Sequence, residues 1–195
     1  MAKTIGMNIF DTAIGACGVA WSEDGIAGVM LPGSSAAAAL AKLRQRHPEA
    51  REATPPAAVQ EAIALIGRLL KGEPTNLSTI VLDMEGVADL NQAIYAITRR
   101  IEPGATRTYG EIAKEMGDPL LARAVGQAMG SNPFPIVVPC HRVLAAGGKT
   151  GGFSAPGGVD TKFRILQIEQ AQNRDPNSLF DSLPLAIKPR GSEQR

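Results

Sequence analysis

Between Asp89 and Gly130 the chain is punctuated so closely that only short helices can form. Pro103-Gly104, Gly117-Asp118-Pro119 and Gly130 each end a helical pattern, since proline lacks an amide donor and glycine loses most freedom in a helix. The first segment, "DLNQAIYAITRRIEPG", puts Leu90, Ile94 and Ile97 on one face. In "TYGEIAKEMG", Thr108 caps a short helix and Glu111 stands where a capping box needs it. "LLARAVGQAMG" makes a second, closed by Gly130. Two short helices joined by a Gly-containing turn have the outline of a helix-turn-helix. The second carries Ala122, Ala124, Gly126 and Ala128 around Arg123. Small residues let a backbone come close, either to another helix or to the floor of a DNA groove. In a groove, an arginine among them suits a probe that fills the space of a displaced base.

Downstream, "VVPCHRVL" sets Cys140 beside His141, in a chain whose other thiol and imidazole are Cys17 and His47. A free thiol is mostly protonated at neutral pH, so a nucleophilic cysteine needs a base and a group that orients the base. Neighbouring side chains of an extended segment face opposite ways, so a turn after Pro139 or a bridging water has to connect the pair. Glu169, in the apparent helix "DTKFRILQIEQ", is the candidate orienting carboxylate. The alternative for Cys140 is an inert thiol after a core strand, and that is the reading for Cys17. Scattered as they are, these residues give no zinc-ligand spacing, and no metal is expected.

The first half reads as α+β. "GACGVAWSEDGIAGVMLPG" is a hairpin turning at Ser22-Glu23-Asp24-Gly25. "SSAAAALAKLRQRHP" is a helix capped by Ser34 or Ser35. "PPAAVQEAIALIGRLLKGEP" aligns Val59, Ile63, Ile66 and Leu70 on one helical face, and "LSTIVLDM" reads as a strand. This half offers no chemistry and reads as a supporting domain. Charge divides along the chain. Residues 1–90 hold seven Lys/Arg against ten Asp/Glu, and residues 91–171 hold nine against six, so the second half suits an anionic partner. No apolar run is long enough to span a membrane, and "MAKTIGMNIFD" lacks a secretory h-region. Two cysteines give no disulfide framework, which fits a reducing cytoplasm.

From "RTYGEIAKEMGDPLLARAVGQAMGSNPFPIVVPCHRV" to "TGGFSAPGGVDTKFRILQIE", the chain resembles the methylated-DNA–protein-cysteine methyltransferases, the O6-alkylguanine-DNA alkyltransferases. The likeness is dense over residues 90–170 and looser before. It implies an N-terminal ribonuclease-H-like α/β domain over 1–88 and a mainly helical, winged-helix-like domain over 89–171 carrying the active-site cysteine loop. A flexible tail over 172–195 is expected from its polar, proline-punctuated composition. The implied activity is base flipping followed by irreversible transfer of the alkyl group from O6-alkylguanine in double-stranded DNA to Cys140, once per molecule. O4-alkylthymine is a further possible substrate. No cofactor is required, and a monomer is expected. By the resemblance, His141 takes the thiol proton through a water, Glu169 orients His141, and Tyr109 serves guanine N3. Arg123 matches the finger that enters the vacated stack, and Asn132 matches the brace before the active loop. Main-chain groups of Cys140, Val143 and Ser154 hold the base edge. A histidine–glutamate relay is expected to lower the thiol pKa. The pocket wall departs from the family: Phe153 stands where tyrosine is common, and Ala155-Pro156 precede Gly157 and Gly158. Rival readings are a thiol hydrolase, a recognition-only relative, which would lack the cysteine, and a transcriptional sensor, which would need more thiols.

Overall fold

A computed structural model describes residues 6–148 and 150–171, and the tail expectation lies outside them. Strands β1 (Gly6–Thr12), β2 (Gly15–Ser22) and β3 (Gly25–Met30) form an antiparallel meander, with Ser22 opposite Gly25 at the expected hairpin. Gly25 sits at φ +140, a conformation side chains rarely adopt, and the Asp24 N–H donates to Ser22 Oγ. A two-residue strand β4 (Arg51–Glu52) adds parallel to β1, giving the order β3-β2-β1-β4.

Helix α1 (Ala36–Arg46) starts where Ser35 Oγ accepts the Ala38 N–H. Alternation along β2 decides which helix covers which face. Ala20 packs with Met7, Met30 and the α1 residues Ala39 and Leu43. Cys17, Val19 and Trp21 face the other way, toward helix α2 (Ala57–Leu69). The α2 core stripe is Val59, Ala62, Ile66 and Leu69, with the expected Ile63 only half-buried at its edge. The strand expected over 77–84 reduces to a single parallel bridge, Ile26 to Leu82. The cause is local. Asn76 Oδ1 accepts the Ser78 N–H, and Arg99 Nη2 donates to the carbonyls of Leu77, Ser78 and Ile80, so the backbone curls around a guanidinium.

Helices α3 (Asp89–Thr98), α4 (Tyr109–Glu115) and α5 (Ala122–Gly130) follow, the last two joined through a 3-10 turn at Pro119–Leu121. The α3 core face is Ile94, Tyr95 and Thr98, because Tyr95 OH reaches the Ala128 carbonyl at 2.9 Å. Leu90, expected on that face, is therefore exposed. Strands β5 (Arg107–Thr108) and β6 (Val143–Leu144) pair in parallel, and α6 (Gly158–Ile168) closes the described chain. One apolar cluster runs from Val19 and Trp21 of the sheet to Ile112, Val125, Val138 and Ile165. Two polar ties reinforce it: the Val29 N–H donates to the Pro133 carbonyl at 2.8 Å, and Arg164 donates to the carbonyls of Ala13 and Ile14. Among the described residues no helix is long and apolar enough to cross a membrane.

Candidate active site

The loop from α5 to β6 is tied by one side chain. Asn132 Nδ2 donates to the Val138 carbonyl and its Oδ1 accepts the Phe134 N–H, each at 2.9 Å, closing the turn from both ends. Within it, Ile136 is held at φ +75, a left-handed conformation that costs a β-branched residue about 1–2 kcal/mol. Pro139, at φ −78 and ψ 65, makes an inverse γ-turn in which the Cys140 N–H returns to the Val138 carbonyl. A 3-10 turn over Cys140–Arg142 then points neighbouring side chains to different partners.

Behind the thiol, His141 is fully buried and its Nε2 lies 3.0 Å from Glu169 Oε1. Arg142 grips the same carboxylate twice, through Nε at 2.9 Å and Nη2 at 2.7 Å, and also donates to the Ile101 carbonyl. Burial alone would raise the Glu169 carboxyl, but His141 and Arg142 outweigh it and hold it at about 2. Glu169 is thus ionised and accepts from Nε2–H. Burial keeps the imidazole below its ordinary pKa, with Glu169 opposing, so His141 rests neutral. Its basic position is then Nδ1, which is buried and meets no hydrogen-bond partner among the described residues.

Cys140 does not show the expected lowered pKa. Burial raises it, and the Asn132 contact, the Lys162 charge and the amides of Cys140 and His141 oppose this without overcoming it. The resting group is a thiol, and its proton has to leave during reaction. Lys162, fully buried on α6, donates at 2.6 Å to the carbonyls of both Val143 and Thr150, and burial draws it down to about 8. Of the Val143 main-chain groups, expected at a base edge, the carbonyl accepts from this buried ammonium. Sequence reasoning missed both Arg142 and Lys162. Arg142 stands in the motif itself, but no local signal separates Lys162 from a surface cation of an amphipathic helix.

Tyr109 opens α4 behind a complete capping box between Thr108 and Glu111. Burial and the nearby Cys140 raise its phenol pKa. Gly151, at φ +66, packs so closely that an added Cβ would stand 2.6 Å from the Tyr109 hydroxyl. Tyr109, Gly126, Met129, Cys140, Phe153 and Ser154 line a cavity of about 440 Å³. A Cβ at Gly126 would meet nothing, so the α5 backbone faces open space there, and Ala122 and Ala124 are half-buried beside it. Arg123 projects into solvent, with no partner among the described residues. Gly157, at φ +78, and Gly158 turn the chain into α6, and a Cβ at Gly157 would strike Thr161 Oγ1. Among the described residues no group of three or more His, Cys, Asp and Glu is placed to hold a metal.

A cavity, a thiol, a neutral imidazole and a clamped carboxylate can together remove a proton from sulfur and let it attack an electrophile held in the cavity. The family of the 6-O-methylguanine DNA methyltransferase DNA-binding domain matches residues 89–171. A methylated-DNA–protein-cysteine methyltransferase of Mycolicibacterium paratuberculosis is 41% identical over 126 residues, covering 65% of this chain and 74% of that protein. The crystal structure of Mycobacterium tuberculosis O6-methylguanine methyltransferase is similar with a TM-score of 0.67, at 31% identity over 92% of this chain and 98% of that one. Mycobacterium tuberculosis OGT in complex with DNA gives the same TM-score at 33% identity, over 84% and 92% of the two chains.

Proposed function

The chain belongs to the methylated-DNA–protein-cysteine methyltransferase family, and from that premise we propose that it repairs O6-alkylguanine in double-stranded DNA by direct transfer to Cys140. The observation that carries this is the placement of Cys140 in the wall of the Tyr109 cavity, with His141, Glu169 and Arg142 aligned behind it. In the reaction the bond between O6 and the alkyl carbon breaks and a bond from Cys140 Sγ to that carbon forms. The thiol proton passes to His141 Nδ1 through a water, and Glu169 supports the imidazolium that results. The guanine anion takes a proton at N3 from Tyr109, and the His141 imidazolium gives up its proton to restore the phenol, so that one proton moves, in net, from sulfur to the base. The product is a thioether, which has no route back, so one molecule performs one repair.

The finer roles rest on the same premise. Helices α4 and α5 act as a helix-turn-helix, with the open backbone at Gly126 on the groove side. Extruding a base costs a few kcal/mol, and the exposed guanidinium of Arg123 offsets that by filling the stack. Asn132 keeps the loop in shape, while Phe153 and Ser154 wall the base. Residues 89–171 form the DNA-binding and acceptor domain, and residues 1–88, of ribonuclease-H-like type, brace its loop. The protein acts as a monomer in the cytoplasm, where the thiol stays reduced.

The test is intact-protein mass after mixing with a duplex holding one O6-methylguanine. One added methyl, mapped to Cys140 and saturating at one per protein, is expected. Unmodified protein that still binds the duplex would mean recognition without repair. Steady turnover of ester substrates would indicate a thiol hydrolase.

A further inference from the structure

Along the 3-10 turn and α5, Leu120, Arg123 and Gln127 are exposed and stand at i, i+3 and i+7, one continuous side. The residues between them serve other surfaces. Val125 and Ala128 are buried in the core, while Gly126, Met129 and Gly130 line the cavity at Cys140. The exposed side therefore adjoins the lining of that cavity. At its head Leu120 is 87% exposed, the most of any large apolar side chain among the described residues. The backbone holds it there. Pro119 opens the turn, Asp118 Oδ1 accepts the Leu120 N–H at 2.9 Å, and the Leu121 N–H returns to the Asp118 carbonyl at 3.1 Å. Leu121 takes the inward place against the core. A single exposed leucine is ordinary on a protein surface. This one is set apart by its rigid mount and its place one turn ahead of Arg123.

We propose that Leu120 is an apolar wedge that enters the minor groove of duplex DNA beside the step opened by Arg123, and so helps the duplex release the damaged base. The inference rests on the alkyl-transfer reading above and on the place that reading gives α5. Three residues of helix or 3-10 turn advance about 5 Å, and bases along one strand repeat every ~3.4 Å. With Arg123 in the vacated stack, Leu120 thus reaches a neighbouring base step. Apolar side chains that act on a step enter from the minor groove and unstack it, and the surface they bury there offsets the cost. The other use of a turn at a DNA face is to hold a phosphate, and the chemistry here opposes it. The Leu120 side chain has no donor, and the exposed carboxylate of Asp118 on the same turn repels phosphate.

The experiment measures single-turnover transfer, below saturation, from one O6-methylguanine oligonucleotide presented as duplex and as single strand. The proteins are the wild type, Leu120→Ala and Leu120→Met. The readout is the ratio of duplex to single-strand rate constants, which cancels any loss common to both, such as a smaller folded fraction. Leu120→Ala is expected to lower this ratio about tenfold, equivalent to about 1.4 kcal/mol and roughly half of a full leucine burial. Leu120→Met, apolar and of similar volume, is expected to restore most of it. The slope of log rate against log salt is expected to stay the same in all three, because no phosphate contact is lost. An unchanged ratio overturns the proposal, and so does a fall of both rates together. A loss seen only when several protein molecules crowd one duplex would place Leu120 between copies, and that too overturns it. Failure of the wild type on both forms of the oligonucleotide would instead overturn the alkyl-transfer reading beneath it.

Discussion

Glu169 receives an imidazole N–H and a guanidinium while its side chain is only 1% exposed. Removing that charge leaves Arg142 buried without a counter-ion, so Glu169→Gln is expected to cost about 3 kcal/mol in urea unfolding at neutral pH. The same residue sets an acid limit. Its folded pKa, about 2, lies below the ordinary 4.5, so its contribution is complete above 4.5 and is lost as pH falls toward 2. His141 adds an earlier phase. Its folded pKa is also lowered, which means the unfolded chain binds its proton first and stability begins to fall below about 6.5. Unfolding free energy measured from pH 7 to 3 is expected to decline in both windows, and Glu169→Gln is expected to shrink the lower one. Lys162 works in the opposite range: depressed from 10.5 to about 8, it costs stability when charged, so stability gains from this group as pH rises between those values.

At the level of elements, the α4 N-terminus and the Gly151 turn form one unit, because the turn's backbone seats the Tyr109 phenol. Gly151→Ala would place a methyl in the left-handed region and against that hydroxyl. Transfer from O6-methylguanine duplex is expected to slow at least tenfold, with about 1–2 kcal/mol lost in stability. Single-turnover kinetics and denaturation on the same sample check both. Helix α5 makes a separate prediction through Arg123, which is exposed and makes no hydrogen bond or ion pair among the described residues. Arg123→Ala is expected to slow repair of duplex DNA far more than reaction with free O6-benzylguanine, and equal losses on both would refute a role in base extrusion.

The whole molecule is held to its reactive loop by ties from distant parts of the chain. The Val29 amide fastens the loop at Pro133, and Arg164 fastens α6 to the β1–β2 turn at Ala13 and Ile14. Through α6 this second tie also bears on Lys162 and Glu169, which lie on or just after that helix. Arg164→Met keeps the stem of the side chain and removes its donors. It is expected to lower stability by about 1 kcal/mol and to slow transfer more than it weakens DNA binding, as measured by kinetics beside a binding titration. A sheet edge of the first half thus meets the loop before Cys140, and its first turn meets α6.

The sequence by itself determined the local parts. Breakers bounded the short helices, Thr108 and Glu111 announced a cap, Ser22 to Gly25 announced a hairpin, and "PCHRV" drew attention to one thiol of two. Each of these is written within a few neighbouring residues, where turn chemistry and helical spacing act directly. Where a local pattern met a distant partner, tertiary structure prevailed: Arg99 curled the expected strand at 77–84, and the Tyr95–Ala128 bond turned Leu90 outward. Glu169 could be named from the sequence, but its contact with His141 joins residues 28 apart. The burial of Lys162, the φ +75 at Ile136 and the raised thiol pKa follow from packing around groups whose neighbours lie far along the chain.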